Sequence, residues 1–251
     1  AYTGALVVTG TGTTGQFTTG TASSSISSTG ATAIVASALA DGQTLTTTGA
    51  GGLTVTGLSG DMTSTSTGTV AVTMEDDAGT VSATLTTTNS GGTTVGTGTF
   101  DSNDTLILAG GNTIAVTVAD TTSITTGAAA ASVAVASTKI ATVNAAAMAD
   151  GVVLTTSGAG QTVITGLKAD LTDTSTVAQD ITVAAVATIT LGLGTNTTGT
   201  DDVTATALTD GQVLTMTGAN NATVAFANGD LTASAYTGAL VVTGTGTTGQ
   251  F

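Results

Sequence analysis

Carboxylates are the side chains of this sequence best suited to metal-ion chemistry, and several of them recur at a fixed spacing. Three segments align without gaps, and each contains two Asp residues twenty positions apart: Asp41 with Asp61, Asp150 with Asp170, and Asp210 with Asp230. Further acidic candidates are Glu75, Asp76, Asp77, Asp101, Asp104, Asp173, Asp201 and Asp202. Carboxylate oxygens are ligands that calcium prefers, so these residues together form the predicted calcium-binding set.

The composition excludes most catalytic chemistry. The chain has no Cys, His or Trp and only two basic residues, both Lys, against 16 Asp and Glu, for a net charge of −14. Without imidazole or thiolate groups it lacks the usual general base, thiol nucleophile, and zinc, haem or iron–sulfur ligands. No basic patch is present to neutralise phosphates, which excludes nucleic-acid binding. We therefore predict that the protein is not an enzyme.

The elements that would carry these carboxylates are short strands. Apolar and hydroxyl residues alternate in LTVTG from Leu53, TVAVTM from Thr69, TIAVTV from Thr113, ITVAAV from Ile181 and LVVTGTG from Leu240. A period of two predicts β-strands with one buried face and one face that carries Thr. Helix-favouring Glu, Lys, Gln and Arg are scarce, so we expect an all-β protein without a long helix.

The spacing of the Asp residues predicts how these strands are arranged. The interval holds two short strands and two turns, which is one rung of a β-solenoid (a parallel β-roll or β-helix), with rungs of about 20 residues and about 4.8 Å apart. Asp41 would then lie over Asp61, and two like charges at that distance would cost about 1 kcal/mol unless a cation such as calcium lay between them. The alternative interpretation of each Asp-Gly pair is a simple turn.

The step from Asp41 to Asp150 does not fit a whole number of rungs. It corresponds to five rungs and about half of another, so we expect a half-rung shift between Asp120 and Asp150. Tandem immunoglobulin-like β-sandwiches are the alternative fold, because this step is also close to the length of such a domain, about 100 residues. The aligned block recurs after only three rungs, from Asp150 to Asp210, and this favours the solenoid.

A long exact duplication indicates a repeat larger than the rung. The seventeen residues from Ala1 to Phe17 recur unchanged from Ala235 to Phe251. We expect residues 1–234 to be one tandem-repeat unit of a continuous solenoid and residues 235–251 to be the start of the next repeat. Such units would associate end to end, and also laterally through cations. The longest run of small apolar residues, 128–136, is shorter than the roughly 20 residues of a membrane span.

The composition also points to a class of proteins. This Thr-, Gly- and Ala-rich, Lys-poor, acidic chain resembles the repeat regions of large secreted bacterial surface proteins, such as S-layer proteins and giant adhesins of the repeats-in-toxin type. The resemblance implies export to the cell surface, calcium dependence and a parallel β-roll. The calcium motif GGxGxDxxx of the repeats-in-toxin family is missing, so no ligand is transferred from it. We expect a structural extracellular protein that forms a fibre, sheath or surface coat for adhesion or cell-surface assembly, with an adhesin stalk of immunoglobulin-like domains as the alternative.

Regularly spaced Thr residues suggest one more alternative. TLTTTG from Thr44, TSTSTGT from Thr63 and TLTTTNS from Thr84 would present outward-facing Thr on a flat face, which is similar to ice-binding solenoids. The segments VAVT and ILAG would interrupt such a column. The same hydroxyls are potential attachment points for glycans, and Asn103, Asn196 and Asn221 lie in N-x-T sequons.

Overall fold

The protein is all-β in the part of the chain that the computed structural model describes. The described residues are 4–10, 15–75, 81–89, 91–101, 103–110, 113–120, 122–126, 132–244 and 246. They belong to two compact units, Ala1–Ala131 and Ser132–Phe251. Every element formed by these residues is a strand, which confirms the expected absence of a long helix. Among them, no helix has the length and apolarity that crossing a membrane would require.

The first unit is built from two parallel sheets. Its strands are β1 (Val7–Gly10), β2 (Gly15–Thr18), β3 (Ser24–Ser28), β4 (Thr32–Val35), β5 (Thr44–Thr48), β6 (Leu53–Leu58), β7 (Asp61–Ser64), β8 (Val70–Met74), β9 (Ser82–Thr87), β10 (Thr93–Gly96), β11 (Thr105–Gly110), β12 (Ile114–Val118) and β13 (Thr122–Thr126). Odd-numbered strands form one sheet, in the order β1-β3-β5-β7-β9-β11-β13, and even-numbered strands form the other, in the order β2-β4-β6-β8-β10-β12.

The second unit has the same design. Its strands are β14 (Val133–Ser137), β15 (Ala141–Asn144), β16 (Val153–Gly158), β17 (Thr162–Leu167), β18 (Asp170–Ser175), β19 (Asp180–Val183), β20 (Thr188–Leu193), β21 (Asp201–Ala205), β22 (Val213–Gly218), β23 (Ala222–Phe226), β24 (Asp230–Tyr236) and β25 (Leu240–Gly244). Its odd-numbered strands run in the order β15-β17-β19-β21-β23-β25 and its even-numbered strands in the order β14-β16-β18-β20-β22-β24.

The pairing within each unit defines a β-solenoid. Each strand pairs in parallel with the strand two places further along the chain, as β3 does with β5 and β16 does with β18. The chain therefore contributes one strand to each sheet in every turn, which confirms the predicted fold. Immunoglobulin-like sandwiches consist of antiparallel strands, so that alternative is wrong for the described residues.

The rungs are unequal in length, although they average about 20 residues. The rung that leads from Thr44 to its partner Asp61 is shorter than this average, whereas the rung from Met62 to its partner Leu85 is longer. Asp41 lies in the turn before β5, ahead of Thr44, and so it is not the residue that pairs with Asp61. The expected stacking of Asp41 on Asp61 is therefore wrong, because the turns at the solenoid corners differ in length from rung to rung.

The half-rung shift of the Asp-Gly block is confirmed. The block leads into an odd-numbered strand, β5, at Asp41, but into even-numbered strands, β16 and β22, at Asp150 and Asp210. Among the strands that the described residues form, β16 is the eleventh after β5, and an odd number of steps moves the block from an odd-numbered to an even-numbered strand. The region in which we expected the shift, between Asp120 and Asp150, lies partly outside the described residues.

Small and branched apolar side chains fill the interior of each solenoid. In the first unit Leu45, Met62, Leu85 and Leu108 stack in register and are no more than 1% exposed. Full burial of such a side chain contributes about 1.5 to 3 kcal/mol. The largest of the fully buried side chains in the described residues are Phe100 and Phe226, and the aromatic content of the chain is only 2%.

Candidate functional site

The first Asp of each aligned block occupies an exposed turn. The three Asp-Gly pairs are Asp41 with Gly42, Asp150 with Gly151 and Asp210 with Gly211, and the glycines have φ angles of 72°, 80° and 78°. Residues with a side chain rarely adopt a positive φ, so glycine is required at the second position. The turn interpretation of these pairs is confirmed.

The second Asp of each block begins a strand, and in two of the three blocks its carboxylate binds the following rung. Oδ1 of Asp61 accepts a hydrogen bond from the backbone N–H of Thr84 at 2.7 Å. Oδ1 of Asp170 accepts one from the backbone N–H of Thr190, also at 2.7 Å. Asp230 begins β24 in the same way. Hydrogen bonds to a charged acceptor are stronger than neutral ones, so the carboxylates of Asp61 and Asp170 each fasten a longer rung onto the shorter one before it.

Asp101 and Asp104 form a closed turn. Asp104 is buried, and its Oδ1 accepts the backbone N–H of Val81 at 2.9 Å while its Oδ2 accepts that of Asp101 at 2.8 Å. Oδ1 of Asp101 accepts the backbone N–H of Asn103 at 2.7 Å. The sequence predicted this pair as calcium ligands, and the geometry shows that Asp104 joins two rungs through backbone donors.

The predicted acidic cluster from Glu75 to Asp77 is described only in part. Glu75 follows β8 directly and is half-buried, whereas Asp76 and Asp77 lie outside the described residues. Among the residues that the structure does describe, no three acidic side chains come together as a metal-binding group. Calcium binding by the set therefore stays a prediction.

Asp202 lies next to Asp180, an acidic residue that was not among the predicted calcium ligands. Asp202 is exposed on β21 and pairs in register with Asp180 on β19, whereas the side chain of Asp201 points to the opposite face. The signal was present in the sequence, since DITV from Asp180 and DVTA from Asp202 share one alternation pattern. The predicted pair of Asp201 with Asp202 is thus replaced by a stacked pair on the outer face.

Asp201 is the centre of a buried polar network at one corner of the second unit. Its side chain is 0% exposed. Its Oδ1 accepts the backbone N–H of Gln179 at 2.8 Å and Nδ2 of Asn196 at 2.9 Å, and its Oδ2 accepts Nδ2 of Asn220. Burial raises the pKa of Asp201, and the hydrogen bonds from these three residues oppose the rise. The carboxyl group is held by N–H donors from three different rungs.

The network extends through side chains on both sides of Asp201. Oε1 of Gln179 accepts the backbone N–H of Thr162 at 2.5 Å. The hydroxyl of Tyr236 donates to the carbonyl oxygen of Asn220. Burial and, second, the charge of Asp201 raise the pKa of Tyr236 to about 12. Successive rungs of the second unit are therefore linked at this corner by side chains as well as by the backbone ladder.

Asp173 is the second buried carboxylate of this unit. Its Oδ1 accepts Oγ1 of Thr156 at 2.7 Å and the backbone N–H of Ser175 at 3.0 Å, and its Oδ2 has no hydrogen-bond partner in the described part of the chain. Its charge contributes to the raised pKa of Asp201. The alternation of β18, in which Leu171 and Ser175 face inward, already placed Asp173 on the buried side.

The outer face of the odd-numbered sheet in the first unit carries a grid of hydroxyl groups. One column contains Ser25, Thr46, Thr63 and Thr86, and the next contains Ser27, Thr48, Thr65 and Thr88. The VAVT segment lies in β8 of the other sheet, so the expectation that it interrupts the grid is wrong. The ILAG segment of β11 does end it, since Ala109 pairs with Thr86. This grid, the Thr grid, spans four adjacent strands.

Comparison with known proteins assigns no family to this chain, so the chain is classified by its fold alone. No protein family, no curated protein and no solved structure matches this chain. The chain is a β-solenoid with internal tandem repeats, and its best-defined polar sites are the Asp201 network and the Thr grid. The resemblance to secreted surface proteins stays a prediction.

Proposed function

We propose that this chain is a structural extracellular repeat protein that forms a fibre, sheath or surface coat and has no enzymatic activity. The observation that supports the proposal is that its carboxylates bind neighbouring rungs of the solenoid. Asp61, Asp104, Asp170 and Asp201 all accept hydrogen bonds from donors on neighbouring rungs. Side chains engaged in this way hold the solenoid together and are not free for acid–base chemistry on a substrate.

The solenoid architecture supports this role physically. Each rung covers the edge of the rung before it, so stacked rungs present few unpaired strand edges. The net charge of −14 keeps such long assemblies soluble and away from anionic surfaces. An extracellular location is supported by the compositional resemblance, and antibody labelling of intact producing cells tests it.

Electron microscopy of a chain that contains several consecutive copies of residues 1–234 tests the structural role. We expect thin filaments of uniform width. Globular particles joined by flexible segments, or a purified chain that cleaves polysaccharide, would contradict the proposal.

Calcium enters this proposal as a bridge between neighbouring fibres. Asp41, Asp150 and Asp210 are exposed in turns, and Asp202 is exposed beside Asp180. Calcium takes six to eight oxygen ligands, more than one such pair supplies, so a site would draw ligands from two chains. Light scattering should rise with calcium and fall with a chelator, with magnesium as the control. Equal association with and without calcium would remove this component.

The Thr grid favours a second candidate function, which is binding to ice. Hydroxyl groups recur about 6.7 Å apart along each strand and about 4.8 Å apart between strands, in a regular two-dimensional lattice. The β-branched Thr side chain has few rotamers, so its methyl and hydroxyl groups are held in place. A regular solid surface is the kind of ligand that such a lattice matches.

Thermal hysteresis of the purified chain tests the ice-binding candidate. Thr63→Lys, at the centre of the grid, should abolish it, whereas Thr94→Lys, on the exposed face of β10 in the other sheet, should leave it intact. Absence of hysteresis in the parent chain, or equal loss in both variants, would reject ice binding.

A further inference from the structure

We infer that consecutive copies of residues 1–234 join in one fixed register, in which the duplicated strand serves as β25 of one copy and as β1 of the next. Its two neighbours are then β23 of the first copy and β3 of the second. This inference rests on the proposed end-to-end assembly and specifies which residues meet at the junction.

The same strand sequence is seen paired along each of its two edges. The four residues of β1 recur at 241–244, inside β25. β1 pairs with the strand that follows it, β3, whereas β25 pairs with the strand that precedes it, β23. β1 therefore shows how the duplicated strand pairs with the next strand of its sheet, and β25 shows how it pairs with the previous strand. Together the two pairings define both sides of the junction.

The register at the junction follows from these pairings. Val7 lies opposite Ser25, and Val241 lies opposite Thr223. Because Val241 is the equivalent of Val7, Ser25 of the next copy should lie opposite Val241. On the inner face, Ile26 of the next copy should lie opposite Val242, since Ile26 pairs with Val8.

The duplicated strands expose apolar side chains that a strand of a neighbouring copy would cover. Val7 is 72% exposed and Val241 is 56% exposed. The inward-facing Val8 and Val242 are only half-buried, whereas their inner partners Ile26 and Val224 are 0% exposed. A strand of the next copy would complete the apolar column at this point. A slip by one residue would place Ser25 or Ser27 there instead of Ile26, which the apolar interior disfavours.

The charge distribution also favours a second copy as the occupant. The chain carries 16 acidic residues, yet no charged residue occurs before Asp41 or after Asp230. The junction therefore lies within the longest uncharged stretch of the repeat. Two strongly acidic copies can approach there without bringing carboxylates together.

Engineered disulfides in a chain of two consecutive copies test the register. The natural sequence has no Cys, so no other thiol competes. Thr223→Cys with Val241→Cys, and in a second variant Val241→Cys with Ser25→Cys of the second copy, should each form a disulfide on mild oxidation, because facing residues on adjacent strands lie about 4.8 Å apart. Both pairs must form, since each one tests a different edge of the shared strand. Val7→Cys with Ser25→Cys in a single chain is the positive control, since this pair is seen in the structure.

Val241→Cys with Ser27→Cys of the second copy is the control for register. These positions share a face but would be about 8 Å apart, beyond the reach of a disulfide. Failure of either pair while the positive control crosslinks, or crosslinking of the Ser27 control equal to that of the Ser25 pair, would overturn the inference. Filaments without the expected disulfide would reject the register and leave the structural role standing. The disulfide without filaments would reject the structural role and leave the register standing.

Discussion

Gly158 and Gly151 offer a matched test of how closely the rungs stack. Both have a positive φ, 104° and 80° respectively. A Cβ atom added at Gly158 would lie 2.0 Å from the carbonyl oxygen of Ser137 in the preceding rung, whereas one added at Gly151 meets nothing within 4 Å. Gly158→Ala should therefore destabilise the second unit much more than Gly151→Ala.

The expected difference can be built from the local contacts. Both substitutions force an Ala into a left-handed conformation, which costs about 1 kcal/mol. At Gly158 the rungs must also separate, which weakens the bond from the N–H of Gly160 to Ser137 and the bond from the N–H of Thr176 to Gly158, both 2.9 Å long. Each bond contributes about 1 kcal/mol. We expect losses of about 3 kcal/mol for Gly158→Ala and about 1 kcal/mol for Gly151→Ala.

Urea denaturation of the 251-residue chain, followed by circular dichroism, measures the two losses. The slope of the unfolding free energy with urea should stay constant, so that the midpoints report stability. Two further pairs repeat the comparison: Gly49 with Gly42, and Gly218 with Gly211. Equal losses within all three pairs would refute the argument that close backbone stacking requires glycine at the ends of these strands.

Three other perturbations address the carboxylates and the tyrosine. Because burial raises the pKa of folded Asp201, its contribution to stability is fully present below the pKa of the unfolded carboxyl and is lost as pH rises through the folded value. Asp201→Asn should remove this part of the pH dependence of the unfolding free energy, and profiles that stay parallel would contradict it. Asp61→Ala deprives the Thr84 N–H of its acceptor and should cost about 1 to 3 kcal/mol in urea denaturation, against about 0.5 kcal/mol or less for the exposed Asp41→Ala. Similar losses would argue against the rung-fastening role. Since the pKa of Tyr236 is raised to about 12, its stabilising contribution should be lost as pH rises from about 10 through that value. Tyr236→Phe should remove this alkaline loss, which thermal melts at a series of pH values would show.

The sequence predicted the fold because its main signal is local. The alternation in LTVTG from Leu53 is the burial pattern of β6, in which Leu53 and Val55 face inward. The Asp-Gly turns were equally readable, since the requirement for a positive φ acts on single residues. The length of each rung could not be predicted from the sequence, because the turns at the corners differ in length. This is why the expected stacking of Asp41 on Asp61 is wrong although the solenoid is right.

The candidate site was predicted less well because neighbours in sequence were treated as neighbours in space. Asp201 and Asp202 are adjacent, yet strand alternation sends one into the interior and the other to the surface. That parity could have been read from Val203 and Ala205, which face inward with Asp201. The partners Asn196 and Asn220 could not, because they come from corner turns that only the folded chain brings together.

The Asp201 network distinguishes one rung of this solenoid from another, which the apolar core does not do. Inward columns of Val, Leu, Ile and Thr are similar in every rung, so a shift by one rung would change the buried apolar contacts little. Such a shift would place Asp201 against a rung without the Asn220 amide, and it would leave a buried carboxylate with fewer donors. Removing a donor from a buried charge is strongly unfavourable, even where the charge adds little net stability. In the first unit the buried Asp104 is held by the backbone N–H groups of Val81 and Asp101, donors of a kind that every rung supplies. The side-chain amides that hold Asp201 thus mark particular rungs of the second unit, and this specificity explains why a chain with a repetitive interior retains this buried carboxylate.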